Sequence, residues 1–411
     1  MAIASLPLSF TFAPLHRSSA PICTFARSLA MIRHIVYECL PGAYAGGVQK
    51  MVFELASAQR RLGADVEIWT PDAIRAGSTE IFDGLPIRYF YPDPFLGFAR
   101  SFRLRREIDK LPVDAILHAH NTYTPLNAQV GRAAHERGLK IFFNPHGALD
   151  PALFSGWDFK SVKKRLYIRC FTRPKLNRAT GVFALTALEQ TQLTSLGITS
   201  PIHVVPNGIL PVVVASPEVG LALRGRHGLN PTDRVSLFVG RITTKKRIED
   251  IIGAVAGLGA HLFIAGNFDA EPGYTATLKA EAKAAGCAQR VHWLGFMDEE
   301  AKAAAYAAAD CFVHASESEG MALAILEAMS AGLPVVATQG CYMEEAAQAG
   351  ALVECAAGPK ALTEALRPLL MDLDLAKQQG QRGQVYASTV HDWANIARRS
   401  LQIYADEGGL A

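Results

Sequence analysis

From Met31 onward, short apolar runs bounded by turn residues alternate with longer helix-like stretches. Runs of the first kind predict strands buried on both faces of a sheet, and the segments between them predict helices. In the first half, strands are expected around Ile35-Val36, Val66 to Trp69, Val113 to His118, Lys140 to Asn144, Gly181 to Leu185 and His203 to Val205. A helix is expected from Gly46 to Leu62. The second half repeats the rhythm at Val235 to Val239, His261 to Ala265, Val291 to Leu294, Cys311 to His314, Val335 to Ala337 and Ala351 to Val353, with a helix at Glu300 to Ala309. Alternation of this kind predicts right-handed βαβ units and parallel sheets, hence an α/β fold class. Two such sheets, joined near Pro206 to Ser216, make two Rossmann-like domains facing a cleft.

Length supports that division. A chain of 411 residues holds about two domains, each with a large core. Half of it is apolar and no long low-complexity tract interrupts it, which points to the soluble globular class. A net charge of +3 is too small to imply nucleic acid, and no nucleic-acid partner is expected. Seven cysteines are scattered without a CxxC pair; Cys39 and Cys311 lie in apolar runs, which suits buried, reduced thiols in a cytosol. No run of about eighteen apolar residues predicts a membrane span. Residues 1–30 hold five serines, two arginines and no acid, with neither helix nor strand periodicity. They resemble a transit peptide, but a disordered extension or a mis-assigned start is favoured.

The densest chemistry lies in Glu319-Gly-Met-Ala-Leu-Ala-Ile-Leu-Glu327. It follows a predicted strand, so Glu319 falls on a strand-to-helix loop, where open α/β sheets bind ligands beside helix N-termini. A carboxylate there accepts hydrogen bonds from a ligand's hydroxyls. The alternative is that Glu319 merely favours the helix start and Glu327 is exposed.

The block resembles the Glu-x7-Glu signature of the retaining glycosyltransferases of family 4 (group 1), which have the GT-B fold. Three further segments agree in order: Gly46-Gly47, Val204-Val-Pro-Asn-Gly-Ile209, and Leu237-Phe-Val-Gly-Arg-Ile-Thr-Thr-Lys-Lys-Arg-Ile-Glu-Asp250, with Arg241 and Lys246 at the family's basic positions. The resemblance covers the chain from Met31 to its C-terminus. It implies an acceptor-side domain over residues 31–209 and a domain for the nucleotide-diphosphate sugar over residues 210–391. A C-terminal helix, residues 392–411, would cross back to the first domain.

Within that frame Arg241 offers a fork of donors to phosphate oxygens and Lys246 a point charge. Aimed at the leaving diphosphate, such cations stabilise the transition state. The alternative is a strand-end charge and a solvated helix face. By resemblance Glu327 accepts from ribose hydroxyls and Glu319 from the donor sugar. The N–H groups of Gly320, Met321 and Ala322, with Leu323 beside them, meet sugar or phosphate at the helix start. Gly46 and Gly47 let the loop approach the diphosphate, or form an ordinary helix-start turn. No GxGxxG accompanies them, which counts against a dinucleotide-dependent oxidoreductase.

His146, in Asn144-Pro-His-Gly147, matches the family's strand-end histidine and is placed as a donor near the reacting sugar, through side chain or backbone. His118, His120 and Asn121 end another strand and are candidates for the acceptor side. His118 and His120, two apart, share a face, so a metal pair is conceivable. None is expected: the only Asp-x-Asp, Asp372-Leu-Asp374, reads as solvated surface, and Arg241 and Lys246 replace the cation. No protein nucleophile is expected either, because the family's retaining step is drawn as front-face attack assisted by the leaving phosphate.

Between Lys160 and Arg178 lie six further basic residues, no acid, and Leu166, Tyr167, Ile168 and Phe171. The stretch predicts either a charged exposed helix or a peripheral contact with anionic membrane. Three departures stand out. Arg247 replaces a glycine, Met321-Ala322 replaces Phe-Gly, and Gln339-Gly-Cys-Tyr-Met-Glu344 replaces a Gly-Gly-x-x-Glu on the expected nucleobase side. The combined expectation is a cytoplasmic, metal-independent, cofactor-free transferase. It would move a sugar from a nucleotide-diphosphate donor to a saccharide or lipid-linked acceptor, in polysaccharide or cell-envelope glycan assembly. A sugar-nucleotide epimerase of the same fold and a silent nucleotide-sugar binding protein are the alternatives.

Overall fold

A computed structural model describes residues 31–39, 47–93 and 100–408; the extension 1–30 and Gly46 lie outside them. The first sheet contains β1 (Ile32–Ile35), β2 (Val66–Pro71), β3 (Thr79–Phe82), β4 (Leu85–Phe90), β5 (Ile116–His120), β6 (Lys140–Asn144), β7 (Gly181–Ala184) and β8 (Ile202–Val204), in the order β3-β4-β2-β1-β5-β6-β7-β8. The second contains β9 (Val235–Val239), β10 (His261–Ala265), β11 (Val291–Gly295), β12 (Cys311–His314), β13 (Val335–Thr338) and β14 (Val353–Cys355), in the order β11-β10-β9-β12-β13-β14. All pairings are parallel except β3 with β4. The expected pair of α/β layers is therefore present, with one antiparallel edge that was not expected.

That edge is a hairpin. Asp83 and Gly84, with φ of 47° and 77°, form its two-residue turn. An Asp-Gly pair is the sequence signal for such a turn, because both central residues need positive φ. Two other strands lie a little later than predicted. β5 begins at Ile116 because Pro112 to Ala115 closes a turn, with Val113 exposed. β14 begins at Val353 because Ala351 bonds back to Ala346 at the end of a short helix.

Each sheet has helices on both faces. Apolar clusters fill both sides of β1 and β5 in the first sheet and both sides of β9 and β12 in the second. Strand order reverses at β1/β5 and at β9/β12, so each sheet opens a crevice at the carboxyl ends of those strands. The chain leaves the first sheet through Val205 to Ser216. It returns at a bridge between Ile209 and Asp392, from which the helix Trp393–Gly408 runs onto the helix Gly47–Arg61. Gly208 permits this crossing: a Cβ there would stand 2.3 Å from the Trp393 ring. Tyr404 then stacks on Phe183 and packs tilted against Phe142 in the first core, a large apolar burial of the kind that stabilises by roughly 1.5–3 kcal/mol per side chain.

Candidate active site

Glu319 lies in the loop between β12 and the helix Leu323–Ser330. The loop is pinned to the other domain by glycine. A Cβ on Gly147 would sit 2.4 Å from the Gly320 Cα, and one on Gly320 would sit 2.7 Å from the His146 carbonyl. Ser316 donates to the Glu319 carboxylate at 2.5 Å, Lys246 forms a short ion pair with it, and His314 Nε2 lies 3.6 Å away. Burial opposes the charge of Glu319, but His314 and Lys246 outweigh it and hold the carboxyl far below the usual range. Lys246 is thus committed to Glu319 within the chain.

Arg241, at the end of β9, is exposed and has no ion-pair partner among the described residues. Lys245 stands beside it with none either; burial, then the charges of Lys246 and Arg241, lower its pKa. Sequence reasoning missed Lys245, although it is the neighbour of Lys246.

Glu327, inside the helix Leu323–Ser330, is buried and carries three partners. Lys50 Nζ is 2.8 Å away, Lys302 Nζ 3.5 Å and the Tyr306 hydroxyl 3.2 Å. Burial raises its pKa, but Lys50 and Lys302 reverse the effect and keep it ionised. Lys50 comes from the helix Gly47–Arg61, so this pair spans the cleft.

Two cavities share a wall. One, of about 610 Å³, is lined by Asn121, His146, Lys245, Glu319 and Met321. The other, of about 980 Å³, is lined by Lys50, Phe296, Lys302 and Glu327. Gly47, Gly240, Arg241, Leu323 and Ala324 border both. The predicted donor-side residues that the structure describes thus meet in one cleft, with Arg241 bordering both cavities. Ala322 caps the helix Leu323–Ser330 without a side-chain bond, so its first N–H groups have no side-chain acceptor. A Cβ on Gly47 would meet only Leu323 at 3.7 Å, an ordinary contact.

The histidines divide. His146 lines the first cavity in a left-handed conformation, φ 54°, which non-glycine residues adopt at a cost. His118 and His120 are fully buried on the sheet face beneath it and open onto neither cavity, contrary to the acceptor-side expectation. Asn121, φ 68°, does line the cleft. His34 on β1 joins them, in register with His118. His34, His118 and His120 are the one grouping among the described residues whose ligand atoms lie close enough for a metal, within 4.8 Å of one another.

Asp150 was also missed. It is buried and accepts from the hydroxyls of Ser318 and, at 2.8 Å, Tyr342, both in the second domain. Tyr342, φ 54°, therefore turns toward Asp150. With Met343 it lines a third cavity of about 700 Å³, apart from Arg241 and Glu327, so the Gln339 to Glu344 segment does not border the Glu327 cavity. Arg247 takes a left-handed φ of 46°, which explains the family's glycine there; here its guanidinium bonds Asp250 at 2.6 Å. Asp372 caps the helix Leu373–Val390 at the surface.

The basic stretch forms the helix Phe159–Tyr167, a π-helical turn and a short helix. Trp157, Phe159, Leu166 and Phe171 are all more than 60% exposed. Two of its cations turn inward instead: Arg165 bonds the Phe154 and Gly156 carbonyls, and Lys175 bonds Thr122 O. No helix of the described residues is long and apolar enough to cross a membrane.

The model of the group 1 glycosyl transferases matches residues 221–385, and that of Glycosyltransferase Family 4 matches residues 45–211. The chain is 28% identical over 324 residues to the D-inositol 3-phosphate glycosyltransferase of Actinosynnema mirum, covering 71% of this chain and 76% of that one. It is 25% identical over 380 residues to the phosphatidyl-myo-inositol mannosyltransferase of Mycobacterium leprae, covering 87% and 92%. The HepE protein of Anabaena, solved with UDP-glucose, shares the fold at a TM-score of 0.74 and 19% identity, covering 92% and 99%.

Proposed function

The chain belongs to the group 1, family 4 glycosyltransferases of GT-B architecture, and from that premise we propose a retaining transfer of a sugar from a nucleotide-diphosphate donor. The observation that carries this reading is Arg241, without an ion-pair partner among the described residues, on the wall shared by two cavities that hold Glu327 on one side and Glu319 with His146 on the other. A diphosphate against Arg241 and Lys245 puts its nucleoside toward Glu327 and Phe296, and its sugar toward Glu319. Ribose hydroxyls then compete with Lys50 for the Glu327 carboxylate.

In the transfer, the bond from the sugar's anomeric carbon to the diphosphate oxygen breaks and its electron pair stays on that oxygen. The acceptor's hydroxyl oxygen bonds to the same face of the carbon, and its proton passes to the leaving phosphate. Fixed cations aimed at that oxygen offset its developing charge, so no metal is needed. Two carboxylates among the described residues line the cavity of His146: Glu319, held by Lys246 and Ser316, and Glu38, which accepts from Gln49.

A saccharide or lipid-linked acceptor suits this enzyme, in cytoplasmic assembly of polysaccharide or envelope glycans. The inositol-lipid mannosyltransferase among its relatives supports that class. So does the exposed face of Trp157, Phe159, Leu166 and Phe171 with Lys160, Lys163, Arg169 and Arg173, which suits an anionic membrane surface.

Calorimetry with UDP, GDP and ADP, in the presence of a chelator, tests the site. One nucleotide is expected to bind, with affinity lost in Arg241→Ala/Lys245→Ala. A folded protein that binds none sinks the transferase reading. Release of free sugar without acceptor favours the epimerase instead.

A further inference from the structure

A line of hydrogen bonds runs under the cleft from the C-terminal helix to His146, and its direction can be deduced. Ser400 has one hydroxyl hydrogen, and its Oγ lies 2.8 Å from the Ala397 carbonyl. With that hydrogen spent, Ser400 accepts from the Gln59 amide nitrogen at 2.8 Å. The amide oxygen of Gln59 then faces His34 Nε2, also at 2.8 Å, so Nε2 carries the proton. A neutral imidazole has one donor and one acceptor. His34 Nδ1 must therefore accept from His120 Nε2 at 2.9 Å, and His120 Nδ1 from His146 Nε2 at 3.1 Å. Burial keeps all three rings neutral, with His34 lowered to about 4, His146 to about 3 and His120 well below its usual value. At the end of the line His146 Nδ1 has no partner among the described residues, and the ring lines the cavity that holds Glu319.

We propose that Gln59 and Ser400 are positioning residues that fix the proton on His146 Nε2, through His34 and His120, so that His146 offers a bare Nδ1 lone pair to the cleft. Its ligand is a hydroxyl hydrogen; that this hydroxyl belongs to a sugar rests on the transferase reading. His146 is then an acceptor, not a proton donor, at the reacting centre. The competing use of these rings is a metal at His34, His118 and His120, favoured by the unpartnered, buried Nε2 of His118. Against it, the facing nitrogens of His34 and His120 already bond each other, and none of the three residues supplies a negative charge.

Ring-nitrogen NMR of the full chain, labelled at its histidines and free of nucleotide, reads the arrangement directly. Protonated and lone-pair nitrogens resonate apart, and His146 is assigned by its loss in His146→Gln. The wild type is expected to show Nε2–H alone. Gln59→Met, similar in length but lacking the acceptor, is expected to give a mixture of both tautomers. Gln59→Glu keeps the acceptor and is expected to restore the single form. Ser400→Ala leaves the amide nitrogen of Gln59 only the Tyr404 hydroxyl, at 3.5 Å, and is expected to give the mixture with little change in packing, which keeps the test decisive if Gln59→Met folds poorly. Nδ1–H in the wild type overturns the proposal. So does a single tautomer that persists in Gln59→Met or Ser400→Ala, or zinc bound stoichiometrically and lost in His118→Gln. Because the readout needs no nucleotide, failure of the transferase reading leaves this result standing, and the reverse.

Discussion

Gly147 and Gly320 press backbone to backbone across the cleft, so close that neither position has room for a Cβ. The contact sets the distance between the loop of Glu319 and the turn of His146. Gly147→Ala must push the two apart, and its φ of 71° adds strain. Misplacing reacting groups by about 1 Å costs on the order of 100-fold in rate. We expect kcat to fall by about that factor while nucleotide affinity, set on the Arg241 side, changes little. Steady-state kinetics beside calorimetry checks this, and an unchanged kcat would remove the glycine pair from the site's geometry.

Glu327 is expected to govern nucleotide affinity. Hydrogen bonds to a charged group contribute roughly 1.5–3 kcal/mol, so Glu327→Gln should weaken nucleotide binding by about 10- to 100-fold. Lys50→Met removes the cation that competes for the carboxylate and should not weaken it. Equal losses in the two variants would mean that the Lys50–Glu327 pair as a unit, rather than the carboxylate alone, governs binding.

Closure of the cleft has a second fastening in Asp150. Tyr342→Phe removes one donor to that carboxylate and leaves Ser318 in place. The expected result is a fall of about 10-fold in kcat/KM, the cost of one hydrogen bond to a charge, and a larger mean dimension by small-angle X-ray scattering. A variant as compact and as active as the wild type would deny Asp150 this role.

Acid should loosen the site through Glu319. Its folded pKa is depressed, so its stabilisation is present above the unfolded value of about 4.3 and is lost as pH falls below it. Glu319→Gln, which cannot make that gain, should be less stable than the wild type at pH 7 by about 1.5–3 kcal/mol. The gap should narrow steadily between about pH 5 and pH 3. Urea melts across that range decide it; a constant gap would show that charge is not what Glu319 contributes.

What was legible in the sequence follows from distance along the chain. β6, β9, β10 and β12 fall where their apolar runs predicted, because each is bounded by its own turn residues. Glu319, Arg241 and Lys246 were readable because the segments that follow β12 and β9 leave the sheet at its carboxyl edge, where the crevice lies. Lys50 with Glu327, Asp150 with Ser318, and Gln59 with Ser400 are joined across 277, 168 and 341 positions. Nothing local marks such pairs: the first two need both domains in place, and the third needs the C-terminal helix returned to the first domain. His118 and His120 show the converse: a strand-end pair looked available, but the face they share is covered by Gln59 and Tyr404, which the pattern alone did not assign to that face.

Trp393, Ser400 and Tyr404 all complete a core whose sheet is built from residues before 205. During synthesis the first domain therefore emerges early yet stays unfinished, its histidine face bare until Ser400 and Tyr404 have followed. The buried residues of the second sheet's apolar clusters, by contrast, all lie between Ile209 and Ala387. The part of the protein made first is thus completed last, and a chain that stops before Trp393 leaves the first core open.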